Sequence, residues 1–145
     1  MNYIKQKDTH SCGPIAVMNA RIFQGVDLNI IGLSLEDYSK MMNCKPPDGT
    51  KIGEFCESMV HFGFTRIYKP TIDKLNGVLD NGDAVIINHG DKRRHYSLII
   101  SRVNNAYNIV NHYCGATITP IKKAKFESDV WRDPKLWLVK SPKNL

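Results

Sequence analysis

The chain has 145 residues, 42% hydrophobic and 23% charged, a balance that builds one ordinary core without help from metal or disulfides and is far from a disordered composition. Its formal charge of +6 is scattered, with local concentrations only at Lys92-Arg93-Arg94 and Lys122-Lys123, and no aromatic residues alternate with these basic ones as a nucleic-acid interface requires. No segment reaches the roughly 20 apolar residues of a membrane span, and residues 1–8 are too polar for a secretion signal, so a single cytoplasmic domain over 1–145 with no membrane partner is expected.

The four cysteines, Cys12, Cys44, Cys56 and Cys114, are far apart and form no CxxC pair. That spacing suggests neither a zinc site nor a disulfide framework, and reduced thiols without a cofactor are expected.

In chain order, residues 11–24 place Ile15, Met18, Ile22 and Phe23 near one helical face, with Pro14 at a tolerated first-turn position and Gly25 as the stop. Cys12 therefore falls at a helix start. Further helices are predicted over 34–43, over 50–62 where Ile52, Phe55, Met59 and Val60 recur at helical spacing, and over 71–79 with Thr71 as cap and Asn81-Gly82 as the end. The period then changes. Residues 84–87, 95–103, 106–111 and 136–139 are short, aliphatic and often β-branched, and predict strands. Asn104-Asn105 suits a tight turn, which makes the two longest strands antiparallel neighbours. Helices followed by strands predict an α+β fold with the N-terminal helices packed on an antiparallel sheet.

A thiol is a nucleophile as its thiolate, and the amides and dipole at a helix N-terminus favour that anion. Cys12 has this setting. Gly13, next to it, has no side chain to keep a substrate backbone away, and Gln6 is placed to offer an amide to an oxyanion beside the Cys12 N–H. Thiol chemistry also needs an imidazole. His95 opens the apolar run Tyr96-Ser97-Leu98-Ile99-Ile100 and so stands at the start of a core strand, whereas His10, His61 and His89 lie in polar surroundings where solvation is expected. Asn111, at the end of the return strand, is the candidate for orienting His95. This pairing carries a condition, because side chains alternate across a strand. A plain two-residue turn puts His95 and Asn111 on opposite faces and His112 on the face of His95; an odd loop or one bulge brings Asn111 to that face.

The ordered set Gln6, Cys12-Gly13-Pro14, His95-Tyr96 and Asn111 resembles the bacteriocin-processing, double-glycine leader peptidases and their free-standing relatives. Gly49-Thr50 before a helix, Phe62-Gly63-Phe64 after it and Trp131 also match that family's spacing. The resemblance implies a papain-like fold, with Cys12 as nucleophile, His95 as base and acid, Gln6 as oxyanion donor, Asn111 as the orienting residue, and Gly13 and Tyr96 in contact with substrate. The family usually has Asp-Pro where this chain has Asn111-His112; papain itself is similar in using Asn. No transporter region or ATPase accompanies the peptidase pattern, so a free-standing form is expected. The resulting expectation is a monomeric enzyme that hydrolyses a peptide or isopeptide bond through a Cys12 acyl-enzyme. The alternatives are an acyltransferase or amidase on the same residues, and a catalytically silent peptide-binding module.

Overall fold

Ile15, Ala16, Val17 and Ala20 are each at most 1% exposed, and their burial makes helix α1 (Cys12–Phe23) the central helix of the protein. In this computed structural model, which describes residues 2–91, 94–112 and 116–144, the chain then runs through α2 (Leu28–Ile31), α3 (Leu35–Met41), α4 (Ile52–His61), β1 (Thr65–Ile67), α5 (Ile72–Asp80), β2 (Ala84–His89), β3 (His95–Val103), β4 (Ala106–Val110), β5 (Ile118–Lys122), α6 (Lys123–Lys125) and β6 (Lys135–Val139). Lys92, Arg93 and Cys114 lie outside the described residues. Side-chain caps start α2, α3 and α5. Ser34 and Asp37 form a reciprocal capping box on α3, and the Thr71 side chain accepts the Lys74 N–H at the start of α5.

The six strands form one antiparallel sheet in the order β1-β6-β2-β3-β4-β5. Alternation sorts their side chains into two apolar layers. Ile86, Tyr96, Leu98, Val110 and Trp137 pack with Ala16, Val17, Phe55 and Met59 of α1 and α4. Val85, Ile87, Ile99, Ile109 and Leu136 pack on the opposite side with Leu75 and Leu79 of α5 and with Phe126 and Val130, which belong to a π-helical turn continuing α6. Helices thus cover both faces. The expectation of N-terminal helices on one antiparallel sheet describes only the first of these layers.

The predicted helices are present with ends that shift by one or two residues, and the strand expected over 84–87 extends through His89. Two strands were not anticipated. β1 has only three residues, and β5 contains Pro120, which the edge position tolerates because one side of an edge strand needs no ladder bond.

The β3–β4 hairpin decides the geometry of the site. Val103 pairs with Ala106 across a two-residue turn in which Asn104 and Asn105 have φ of 51° and 64°, the conformation that such a turn favours. Farther along, Ile99 pairs with Ile109 but Ser101 pairs with Asn108, so Ile100 is an extra residue in β3. This bulge reverses the alternation and brings the positions of His95 and Asn111 to the same side. The strand expected over 106–111 ends at Val110, because Asn111 turns into the left-handed region at φ 55°. Among the described residues no helix is long and apolar enough to cross a membrane.

Candidate active site

Cys12 is the first residue of α1 and is 8% exposed. It opens onto a cleft of about 620 Å³ bounded by Thr9 and His10, by residues 47–52, and by Arg94 and Tyr96. Burial pushes its thiol above the ordinary value, while the main-chain N–H of Tyr96 acts on the sulfur in the opposite sense; Cys44 adds to the rise, and the N–H groups of Gly13 and Cys12 oppose it. The sulfur therefore meets β3 at the residue directly after His95.

His95 is 9% exposed, and its Nε2 lies 2.9 Å from the main-chain carbonyl oxygen of Asn111. A carbonyl can only accept, so Nε2 carries the proton and the lone pair of the neutral ring is on Nδ1. Burial pushes this imidazole down, and main-chain bonds to Asn111 and His112 push it up. No hydrogen bond between described residues joins the His95 ring to the Cys12 sulfur in this resting arrangement; catalytic bonds of this kind often tighten only with substrate in place.

The Asn111 side chain points elsewhere than expected. Its Oδ1 accepts the Gln6 main-chain N–H at 2.9 Å, and its Nδ2 donates to Gln6 Oε1 at 3.3 Å. The left-handed backbone at Asn111 sends the carbonyl toward the ring and the carboxamide toward the N-terminal segment. That segment is fixed again by Asn19, a fully buried residue of α1 that accepts the Ile4 N–H at 2.7 Å and donates to the Ile4 carbonyl at 2.9 Å. Gln6 Nε2 donates to the Asp8 carbonyl at 2.8 Å, so the amide expected at an oxyanion has an internal acceptor in the resting state.

Two further residues have duties different from those expected. A Cβ on Gly13 would lie 3.1 Å from Thr50 Oγ1 and 3.4 Å from the Phe55 ring. The missing side chain makes room for the protein's own packing, and Gly13 does not line the cleft. Tyr96 borders the cleft, but its ring stacks on Phe55 at 3.9 Å in the core, and its hydroxyl donates to the Thr50 carbonyl at 2.9 Å. It ties the 47–52 wall of the cleft to β3.

His89 was expected in solvent and is fully buried instead. It stands directly opposite His95 in the β2–β3 ladder. Sequence reasoning missed it because it follows Asn88 and precedes a Gly-Asp pair, a polar stretch that reads as loop. The available signal was positional, since His89, His95 and His112 each sit where a core strand begins or ends. Arg94 was also read as part of a solvated run. Its guanidinium instead bonds the Asn88 side chain, the Gly90 carbonyl at 2.8 Å and Asp133 at 2.9 Å, which closes one end of the cleft. Among the described residues no group of histidine, cysteine or acidic side chains is arranged to hold a metal ion.

A helix that presents a cysteine at its N-terminus, packed on an antiparallel sheet with a histidine at a strand start, is the arrangement of the papain-like cysteine peptidases, and the chain has that fold. The peptidase domain of Streptococcus ComA, a bifunctional ABC transporter involved in quorum sensing, matches it with a TM-score of 0.70 at 20% identity, over 97% of this chain and 100% of that one. The peptidase domain of Streptococcus mutans ComA matches with a TM-score of 0.59 at 18% identity, and its complex with a small-molecule inhibitor with 0.54 at 19%, both over the same shares of the two chains. No family model and no curated protein matches the sequence.

Proposed function

We propose that this chain is a cysteine peptidase that hydrolyses a peptide or isopeptide bond, with Cys12 as nucleophile, His95 as base and acid, and Gln6 and Asn111 in support. One observation carries the reading: His95 is held through Nε2–H on the Asn111 carbonyl, which leaves Nδ1 basic at the strand position adjoining the amide that touches the Cys12 sulfur. Burial favours the neutral form of both the thiol and the imidazole. Transfer of the thiol proton to His95, once the two groups meet, supplies the thiolate.

As Cys12 Sγ bonds to the substrate carbonyl carbon, its proton passes to His95 Nδ1 once that ring edge meets the sulfur. The oxyanion is received by the Cys12 N–H and by Gln6 Nε2, released from Asp8. His95 then gives its proton to the departing amine, leaving a thioester. Water attacks the thioester while His95 takes its proton, the acid departs, and the proton returns to Cys12.

The test is limited iodoacetamide labelling from pH 5 to 9, read by peptide mass for wild type, Cys12→Ala and His95→Ala. Labelling of Cys12 about tenfold faster than of Cys44 and Cys56 near neutral pH, with that advantage lost in His95→Ala, is the expected result. Equal reactivity at all three sites would instead favour the silent peptide-binding module, a reading that the internally bonded Gln6 amide supports.

A further inference from the structure

Three neighbouring strand ends deliver three imidazoles to one place. His89 closes β2, His95 opens β3, and His112 follows β4 after Asn111. The His89 and His95 rings are 5.9 Å apart at 81°, His112 is 6.5 Å from His95 at 80°, and His89 and His112 are 6.4 Å apart and inclined by only 19°. The three centroids form a nearly equilateral triangle in which the His95 ring is nearly perpendicular to both of the others. Arg94 and Arg132 act on His89, and Lys125 and Asp129 on His112. Two of these cations are themselves paired, Arg94 with Asp133 and Arg132 with Asp91.

We propose that His89 and His112 are positioning residues for His95: packed against its ring, they hold it on the Asn111 carbonyl as the Nε2–H tautomer and confine the cluster to a single proton, taken up at His95. Two cationic rings about 6 Å apart in a largely dry site repel strongly, so one proton excludes the next. His95 can hold that proton against the Asn111 carbonyl at Nε2. His89 is fully buried and pushed down to about 3, first by burial and then by His95 and His112; His112 is pushed down to about 4 by burial and then by His95. Both stay neutral well below the ordinary imidazole range. The inference gives a role to the reading of His95 as a base but rests on packing that exists whether or not Cys12 is activated.

The experiment uses protein labelled with 15N-histidine and follows long-range proton–nitrogen correlations from pH 4.5 to 8. His89→Ala, His112→Ala and the space-filling His89→Phe are read in the same way, with Cys12 labelling measured alongside. In wild type, His95 is expected in the Nε2–H form and to take up a proton before His89 and His112 do. In the alanine variants water reaches the ring, the tautomer becomes mixed, and the His95 midpoint rises toward that of a solvated histidine. His89→Phe restores the wild-type pattern. A purely structural role would lower the melting temperature of the alanine variants and leave the His95 titration and tautomer unchanged, which would overturn the proposal. So would titration of His89 or His112 above pH 5 in wild type, a readout that needs no variant to fold. An unreactive Cys12 beside a fixed His95 tautomer would sink the peptidase reading and leave this inference standing.

Discussion

Asn111 grips Gln6 with its carboxamide and His95 with its main-chain carbonyl, at 2.9 Å in each case. The residue expected to orient the imidazole meets it through the main-chain carbonyl, a part that every amino acid shares, and its side chain bonds the N-terminal segment.

Asn111→Gly separates the two duties, because glycine keeps the carbonyl and tolerates φ 55°. Alkylation of Cys12 is expected to stay within about threefold of wild type, since that reaction needs the His95 contact but no oxyanion donor. Acylation by an activated peptide ester is expected to fall by about tenfold to a hundredfold as Gln6 comes loose. Equal loss in both assays would mean that the carboxamide, and not the carbonyl, is what His95 depends on.

Asn19→Ala removes both bonds to Ile4 from a fully buried position. Urea unfolding is expected to show a loss of about 2 kcal/mol. Limited proteolysis should reveal new cutting within residues 2–8, because that stretch would lose its two-point anchor at Ile4.

Tyr96→Phe keeps the stack on Phe55 and deletes the hydrogen bond to the Thr50 carbonyl. A stability loss of about 1 kcal/mol is expected in urea. Amide exchange should quicken across residues 47–52, the wall that this bond ties to β3.

His89 is pushed down to about 3 and His112 to about 4, from an ordinary 6.5. Below pH 6.5 the unfolded chain binds protons that the folded chain refuses, so stability falls as pH drops from 6.5 toward these native values and is fully present above 6.5. At pH 5 His89 is expected to remove about 2 kcal/mol relative to pH 7, and the more exposed His112 less. Urea titrations at the two pH values check this, and His89→Phe should recover the larger part of the combined loss.

Much of the fold was legible because it is encoded over short distances. The helical spacing of Ile15 and Met18, the tolerated Pro14 and the Gly25 stop put Cys12 at a helix start. Asn104-Asn105 announced the hairpin, and its two left-handed residues make the expected turn. The short edge strands β1 and β5 were missed, since three residues, or five interrupted by Pro120, carry too little periodicity to stand out.

Local preferences are written in the chain: which segments coil, which extend, and that a thiol and an imidazole each stand at the start of a rigid element. How their partners meet depends on long-range pairing. The extra residue at Ile100 brings the His95 and Asn111 positions to one side, the left-handed backbone at Asn111 aims its carbonyl and carboxamide in different directions, and Gln6 meets a residue 105 positions away. His89 and His112 reach His95 only because β2, β3 and β4 lie side by side. Periodicity and capping act over a few residues, whereas strand pairing joins distant segments through main-chain bonds that look alike at every position. The contacts around His95 are set by the register of the whole sheet.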